Sequence, residues 1–216
     1  CGSAGVRECG SAGVRECGGL ESVIFCLQTM MTSELPDSSK VGLPSFKTVP
    51  VIGLPVAVTT YQKAIDWIKS AALLGDRAYA VEAANTHVAA LSRHDDDFGE
   101  VMAKFDLICP DGMPLVWSIN QKLGGRDKLT DRVYGPTLML KTIEASENKP
   151  ELKHFFFGGK QSTLDHLQKR FAIDYPETTI AGAYSPPFGE WPDDEFERIC
   201  QKIKQKDCAG ANAIFV

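Results

Sequence analysis

A chain of 216 residues is about 1.4 times the length of an average domain, so one domain with an appendage is expected. Hydrophobic residues make up 44% and charged residues 24%, an ordinary globular balance that excludes a wholly disordered chain. The 23 Lys and Arg against 28 Asp and Glu leave a net charge of −5, which argues against a nucleic-acid binder, whose binding face is normally basic.

Residues 1–46 are Gly- and Ser-rich and open on the octapeptide Cys-Gly-Ser-Ala-Gly-Val-Arg-Glu, written twice and then restarted. Two copies are too few and too short for a solenoid, which needs units of about 20 residues or more. No apolar periodicity lasts beyond a turn, so the segment is expected to be a flexible leader without function. The chain starts without Met, and Met30 and Met31 stand just before more ordinary sequence, so the leader reads as a vector, gene-model or fragment artefact. The run Val23-Ile24-Phe25-Cys26-Leu27 is too short for the ~20 residues that cross a bilayer, and too short for a signal peptide. A peripheral contact with membrane is left open.

Of the seven cysteines, Cys1, Cys9 and Cys17 belong to the repeat, and Cys26, Cys109, Cys200 and Cys208 are scattered. Spacing by eight fits neither a zinc site nor a Cys-x-x-Cys motif. They read as reduced thiols of a cytoplasmic protein.

From residue 47 to 216 the texture is that of a folded domain. Val49 to Val58 reads as two short β segments around a Gly53-Leu54-Pro55 turn. Thr59 or Thr60 caps a helix carrying Ala64, Ile65, Ile68, Ala71 and Ala72, which Gly75 ends. A strand at residues 78–84 leads through Asn85-Thr86-His87 to a helical stretch reaching about Lys104. A short strand at 106–109 stops at Pro110-Asp111-Gly112, and helices follow at about 114–123 and 136–148. Residues 152–157 form an apolar strand apart from His154, ending at Gly158-Gly159-Lys160. A helix at about 161–174, a strand at 178–184, a loop through Gly189, a helix at about 193–206 and a strand at 211–216 complete the chain. Strands alternating with helices of this length predict a Rossmann-like α/β sandwich. Its sheet is mostly parallel with helices on both faces, and a short N-terminal β segment precedes it.

Ligands of such sheets bind beyond the carboxyl ends of the strands, which selects four turns. Gly158-Gly159-Lys160 opens a helix, where free N–H groups and a lysine suit a phosphate, although glycines also serve a βα turn by themselves. It is neither a Walker sequence nor a Gly-x-Gly-x-x-Gly fingerprint. Asp111, between Pro110 and Gly112, suits a general base that deprotonates an attacking hydroxyl, or else caps the following helix. Asn85 offers a donor and an acceptor to a sugar hydroxyl, or else caps its own helix, and His87 could do acid–base work. The fourth turn is the loop from Tyr184 to Gly189. Asp95-Asp96-Asp97 reads as a helix start rather than a metal site. Arg132 is a candidate phosphate fork or a surface arginine, and His94 and His166 read as solvated.

The order of the motifs is more specific than any one of them. Asn85-Thr86-His87, the run from Cys109 to Trp117 through Pro110-Asp111-Gly112, Arg132-Val133-Tyr134-Gly135, Phe156 to Lys160, and Tyr184 to Phe188 together closely resemble the WecG/TagA/CpsF family of bacterial glycosyltransferases. The resemblance covers about residues 49–216. It implies inverting, metal-independent transfer of an N-acetylmannosamine-type sugar from a UDP donor to a lipid-linked acceptor such as N-acetylglucosaminyl diphosphoundecaprenol. The products are cell-surface polysaccharides: wall teichoic acid, enterobacterial common antigen or exopolysaccharide. Asp111 is then the catalytic base, Asn85 contacts donor sugar or acceptor, Arg132 faces the diphosphate, and Gly158, Gly159 and Lys160 lie in the nucleotide cleft. Thr86, Gly112 and Gly135 complete the implied substrate site. No cofactor is expected beyond the UDP-sugar substrate, and self-association is left open.

Two departures stand out. Some members carry Thr where this chain has Ala83. The family also continues past Val216 with a Gly-Leu-Gly-x-Pro-Lys-Gln-Glu segment and a basic tail that helps contact membrane, so the chain is expected to be a C-terminally truncated cytoplasmic enzyme, peripheral at the inner face of the cell membrane. Two alternatives are kept: a catalytically inactive nucleotide-sugar binding fragment, and a dinucleotide-binding oxidoreductase.

Overall fold

Two prolines face each other across the first hairpin of the protein, seen in a computed structural model that describes residues 42–75, 77–125, 127–187 and 211–216, with Pro192, Glu195, Glu197, Arg198 and Gln201. Strand β1 (Thr48–Val51) pairs antiparallel with β2 (Leu54–Ala57), and Pro50 lies opposite Pro55. Neither proline has an N–H, and a pair next to a two-residue turn's closing pair needs none, so the ladder loses nothing. The turn is Ile52-Gly53, at φ 54° and 94°, and not the expected Gly-Leu-Pro. Positive φ at both central residues gives the twist that a two-residue hairpin requires. Leu54 is buried in β2 instead of turning the chain.

Helix α1 (Tyr61–Leu74) ends as expected at Gly75, whose φ of 62° is left-handed. Strands β3 (Val81–Ala84) and β4 (Leu107–Pro110) then pair in parallel, in register from Val81–Leu107 to Ala84–Pro110. The helical stretch between them is broken into α2 (Thr86–His94) and α3 (Asp96–Met102). Asp95 causes the break: its side chain accepts the Phe98 N–H at 3.0 Å, and Asp96 and Asp97 occupy the first turn of α3, where they favour the helix dipole. Gly99 lets the two helices close up, since a Cβ there would come within 2.9 Å of the Ser92 carbonyl oxygen.

Helices α4 (Met113–Leu123) and α5 (Gly135–Glu144) follow, the second shorter than the expected 136–148. The last third brings β5 (Lys153–Phe157), α6 (Gln161–Asp174), β6 (Thr179–Tyr184) and β7 (Ala213–Phe215), with parallel order β6-β5-β7. The helix expected over 193–206 lies largely outside the described residues, as do Phe188, Gly189 and the leader through position 41. The protein is thus an α/β fold whose expected parallel pairing is distributed over two ladders, behind a short N-terminal hairpin.

Alternation along β4 puts helices on both faces, because successive strand residues point oppositely. Ile108 joins the core of the hairpin, α2, α3 and α4, with Val49, Leu54, Ala89, Phe98 and Ile119. Leu107 and Cys109 join the opposite core with Ile65, Trp67 and Ala71 of α1 and Leu138 of α5. Further along α5, Ile143 packs with Phe156, Leu164 and Phe171. One helix therefore serves both ladders, and its N-terminus is fixed where β4 ends.

Candidate functional site

The carboxyl ends of β3 and β4 are tied together. The Asp111 N–H donates to the Ala84 carbonyl at 2.8 Å, and the Val133 N–H donates to the Pro110 carbonyl at 2.7 Å. The chain thus returns beside Asp111 just before α5 begins. Oδ2 of Asp111 accepts the N–H of Gly135, the first residue of α5, at 3.3 Å. Its Oδ1 is buried and has no hydrogen-bond partner among the described residues. The capping position of α4 is Gly112, with no side-chain cap bond, so the alternative of Asp111 as a helix cap does not describe its contacts.

This close approach favours glycine at position 135. A Cβ on it would come within 3.2 Å of the Ala83 Cβ and 3.8 Å of Asp111 Oδ2. Ala83, where some relatives of the implied family carry Thr, is therefore packed against the first residue of α5. Gly112, at φ −149°, has a backbone that any residue adopts.

Burial pushes the Asp111 carboxyl above the ordinary carboxylate range, while the Gly135 N–H and the Arg132 guanidinium pull it back. The rise comes from loss of water around the charged form. Glu82, on β3, is also held high, first by burial and then by Asp111. The buried Cys109 thiol is pushed up to about 12 by burial, Glu82 and Asp111, which leaves it an inert thiol rather than a nucleophile. Sequence reasoning passed over Glu82. Its signal was available as a lone carboxylate in the apolar run Tyr79-Ala80-Val81-Glu82-Ala83-Ala84, a placement that is uncommon without a reason.

Asn85 takes its bland alternative. Its Oδ1 accepts the N–H groups of His87 and Val88 at 2.9 and 3.1 Å, capping α2. Asn85 is exposed, beside exposed Thr86 and His87, so capping through Oδ1 is compatible with ligand contact. Arg132 is exposed, with its guanidinium 4.7 Å from the Tyr134 ring centroid and its charge felt at Asp111. His94 and His166 are exposed, as solvated residues should be.

Gly158, Gly159 and Lys160 sit at the end of β5, in the other ladder. The hydrogen bonds of the two glycines run to the β6 side, from the Gly158 N–H to the Tyr184 carbonyl at 2.9 Å and from Ser185 Oγ to the Gly159 carbonyl at 2.6 Å, whereas the Lys160 carbonyl accepts the Thr163 and Leu164 N–H groups of α6. Both glycines have positive φ, 106° and 71°, and a Cβ on either would meet open space. The turn needs glycine for its backbone and also leaves room above it. Lys160 caps α6 by position only and is exposed.

Concavity does not select this region. A cavity of about 330 Å³ lies where β4 begins, among Phe46, Trp67, Tyr79, Phe105 and Asp106. Another of about 470 Å³ lies ahead of β6, among Asn148, Pro150, Pro176 and Glu177. Both sit where strands enter the fold, whereas the buried, unpaired carboxylate oxygen sits where they leave it. Among the described residues no group of three His, Cys, Asp or Glu is placed to hold a metal ion, and no helix is long and apolar enough to cross a membrane.

Motif order and strand-end chemistry agree with one further finding. The model of the glycosyl transferase WecG/TagA/CpsF family matches residues 49–216. The chain belongs to that family. It is therefore a glycosyltransferase of polysaccharide synthesis by descent. The match starts within β1 and runs through β7, so it takes in the hairpin, both parallel ladders and every candidate residue named above. No curated protein matches the chain.

Proposed function

We propose that this glycosyltransferase moves an N-acetylmannosamine-type sugar from a UDP donor to a hydroxyl of a lipid-linked diphosphate acceptor, by inversion and without a metal ion. Asp111 is the base. The observation that supports this reading is the carboxylate itself, gripped through Oδ2 by the Gly135 N–H while Oδ1 is buried without a partner. Such an oxygen lacks the water it would have in solution. An acceptor hydroxyl brought to it supplies a hydrogen bond and, as the bond to the sugar forms and the bond from the sugar to the phosphate oxygen breaks to release UDP, its proton. Raising the carboxyl above its usual range brings its basicity nearer to the operating pH, which favours proton transfer.

Arg132 would meet donor diphosphate on one side, and the Gly158–Lys160 turn would contribute the backbone N–H groups after Gly158 and a cation on the other. Asn85, with Thr86, would reach a sugar hydroxyl. The enzyme would work in the cytoplasm against the inner face of the cell membrane, where a lipid-linked acceptor is available.

The test is a transfer assay on a lipid-diphosphate saccharide analogue, with UDP-N-acetylmannosamine against UDP-N-acetylglucosamine and with or without EDTA. Glycosylated lipid from the first donor, unchanged by EDTA, is the expected result. UDP binding without transfer points to a nucleotide-sugar binding module. Binding of NAD in place of UDP overturns the reading in favour of a dinucleotide enzyme.

A further inference from the structure

The N-terminus of α5 presents two consecutive backbone N–H groups, and each has a long-range side-chain acceptor. The Tyr134 N–H donates to the Tyr61 hydroxyl at 2.9 Å, and the Gly135 N–H donates to Asp111 Oδ2 at 3.3 Å. The first N–H groups of a helix have no intrahelical partner, and the next residue, Pro136, has none to give. Those two bonds, with the Val133 N–H to Pro110 carbonyl bond just before them, orient the start of α5. Tyr61 opens α1, and its ring packs in the core that holds Val133 and Leu138. The Lys141 ammonium of α5 lies 5.7 Å from the centroid of the same ring, within cation–π range. Tyr61 thus meets α5 at its capping residue and again two turns along.

We propose that Tyr61 is a positioning residue for the catalytic carboxylate: its hydroxyl fixes the Tyr134 peptide, and through it the Gly135 N–H that holds Asp111 Oδ2. This rests on the reading of Asp111 as the base. Glycine at position 135 makes such an anchor necessary, since a peptide flanked by glycine has more conformations to lose. Ala83 cannot supply it, because it offers only a methyl group at the contact. The charge that acts on Asp111 is that of Arg132 ahead of α5, and Asp111 in turn raises Glu82 on β3 and Cys109 on β4. Tyr61 adds no charge to that set, so its effect on Asp111 travels through the Gly135 bond.

The experiment follows the ¹⁵N–¹H signal of Gly135 with pH in the 216-residue chain. That amide reports ionisation of the carboxylate it binds. Tyr61→Phe keeps the ring, and with it the packing and the Lys141 contact, while removing the acceptor for Tyr134. The expected result is a midpoint raised by a few tenths of a pH unit, because a loosened N–H favours the charged carboxylate less. Turnover should fall about three- to tenfold, the scale of one hydrogen bond, with KM for the donor within twofold. Tyr61→Leu should shift the midpoint at least as far. A folded Tyr61→Phe protein with an unmoved Gly135 midpoint overturns the proposal. So does a Gly135 titration that persists in Asp111→Asn, since the amide would then be reporting another group. Full turnover by Asp111→Asn would remove Asp111 as base, yet the Gly135 midpoint would still decide whether Tyr61 positions that carboxylate.

Discussion

Gly135 holds Asp111 by a single backbone hydrogen bond of 3.3 Å to Oδ2, leaving Oδ1 without a described partner. The two carboxylate oxygens are thereby made unequal. The gripped oxygen fixes the plane of the carboxylate, and the other remains to accept a proton from whatever the cleft binds. A carboxylate used merely to cap α4 would have faced the N–H groups of that helix.

Asp111→Asn should cut turnover by about 10²–10⁴, the usual cost of losing a general base, while UDP-sugar binding stays within a few-fold. The amide can still accept from Gly135 but takes no proton. For the unaltered protein, the acid limb of kcat/KM should lie above the ordinary carboxylate value, because Asp111 is raised by burial. The rate is then lost as pH falls through the raised value. Arg132→Ala should push the limb higher still, since that cation lowers it. Steady-state rates across pH beside a donor isotherm check both, and turnover unchanged in Asp111→Asn would refute the base.

Arg132 and Lys160 should distinguish charged from neutral ligands. Replacing either with Ala is expected to weaken UDP binding by about tenfold or more and uridine binding hardly at all, because only the diphosphate loses a charge-assisted contact. Calorimetry with the two ligands measures this. Equal losses would mean a folding defect. Lys160 is the more exacting case, since its turn belongs to the ladder of β5 and the glycines before it bond toward β6.

Asn85 has a structural role that any ligand role must be separated from. Asn85→Ala should cost about 1 kcal/mol of stability, the usual loss for a removed cap, because the His87 and Val88 N–H groups lose their acceptor. Asn85→Asp keeps an acceptor but has no amide donor. If Asn85 also serves a sugar hydroxyl, the Asp variant should melt close to the unaltered protein and transfer more slowly. Equal transfer would confine Asn85 to capping.

Much of the architecture was legible because it rests on local chemistry. Helix α6 falls on the expected residues 161–174, and Gly75 ends α1 as anticipated, in a left-handed backbone. The hairpin turn was misplaced by one step, since Gly-Leu-Pro looks like a turn in isolation. Only cross-strand pairing reveals that two opposed prolines are harmless in β1 and β2. The acidic run Asp95-Asp96-Asp97 marks a helix start in the sequence, and the Asp95 cap shows that this start divides the helical stretch before Lys104 in two. At the site, Asp111 was readable from its neighbours in sequence, whereas Glu82, Tyr61 and the Gly135 N–H reach it through strand pairing and helix packing. The Gly135–Asp111 bond spans 24 positions of chain and the Tyr134–Tyr61 bond that flanks it spans 73, and no window along the sequence contains them.

His154 offers a prediction about stability that is independent of the site. It lies in β5, is fully buried, and neither ring nitrogen has a hydrogen-bond partner among the described residues. Its ring stacks on Phe215 of β7 at 5.6 Å between centroids. Burial lowers its pKa from 6.5 to about 4, since no nearby partner repays the charged form for lost water. The folded protein therefore keeps this histidine neutral in a pH range where the unfolded chain binds a proton. A depressed folded value means that the associated stability is fully present above about 6.5 and is lost as pH falls toward 4. The unfolded state holds more protons throughout that window, so stability rises with pH across it. At 1.36 kcal/mol per unit, the total swing is roughly 3 kcal/mol. His154→Phe keeps an aromatic ring for Phe215 and has nothing to protonate. Chemical unfolding at pH 4.5 and pH 7 should show a smaller loss on acidification for His154→Phe than for the unaltered chain, by up to that swing. Taking the difference between the two proteins cancels the carboxylates they share. Identical pH dependence would mean that His154 reaches water or a partner in solution, and His154→Leu guards against overpacking by the larger ring.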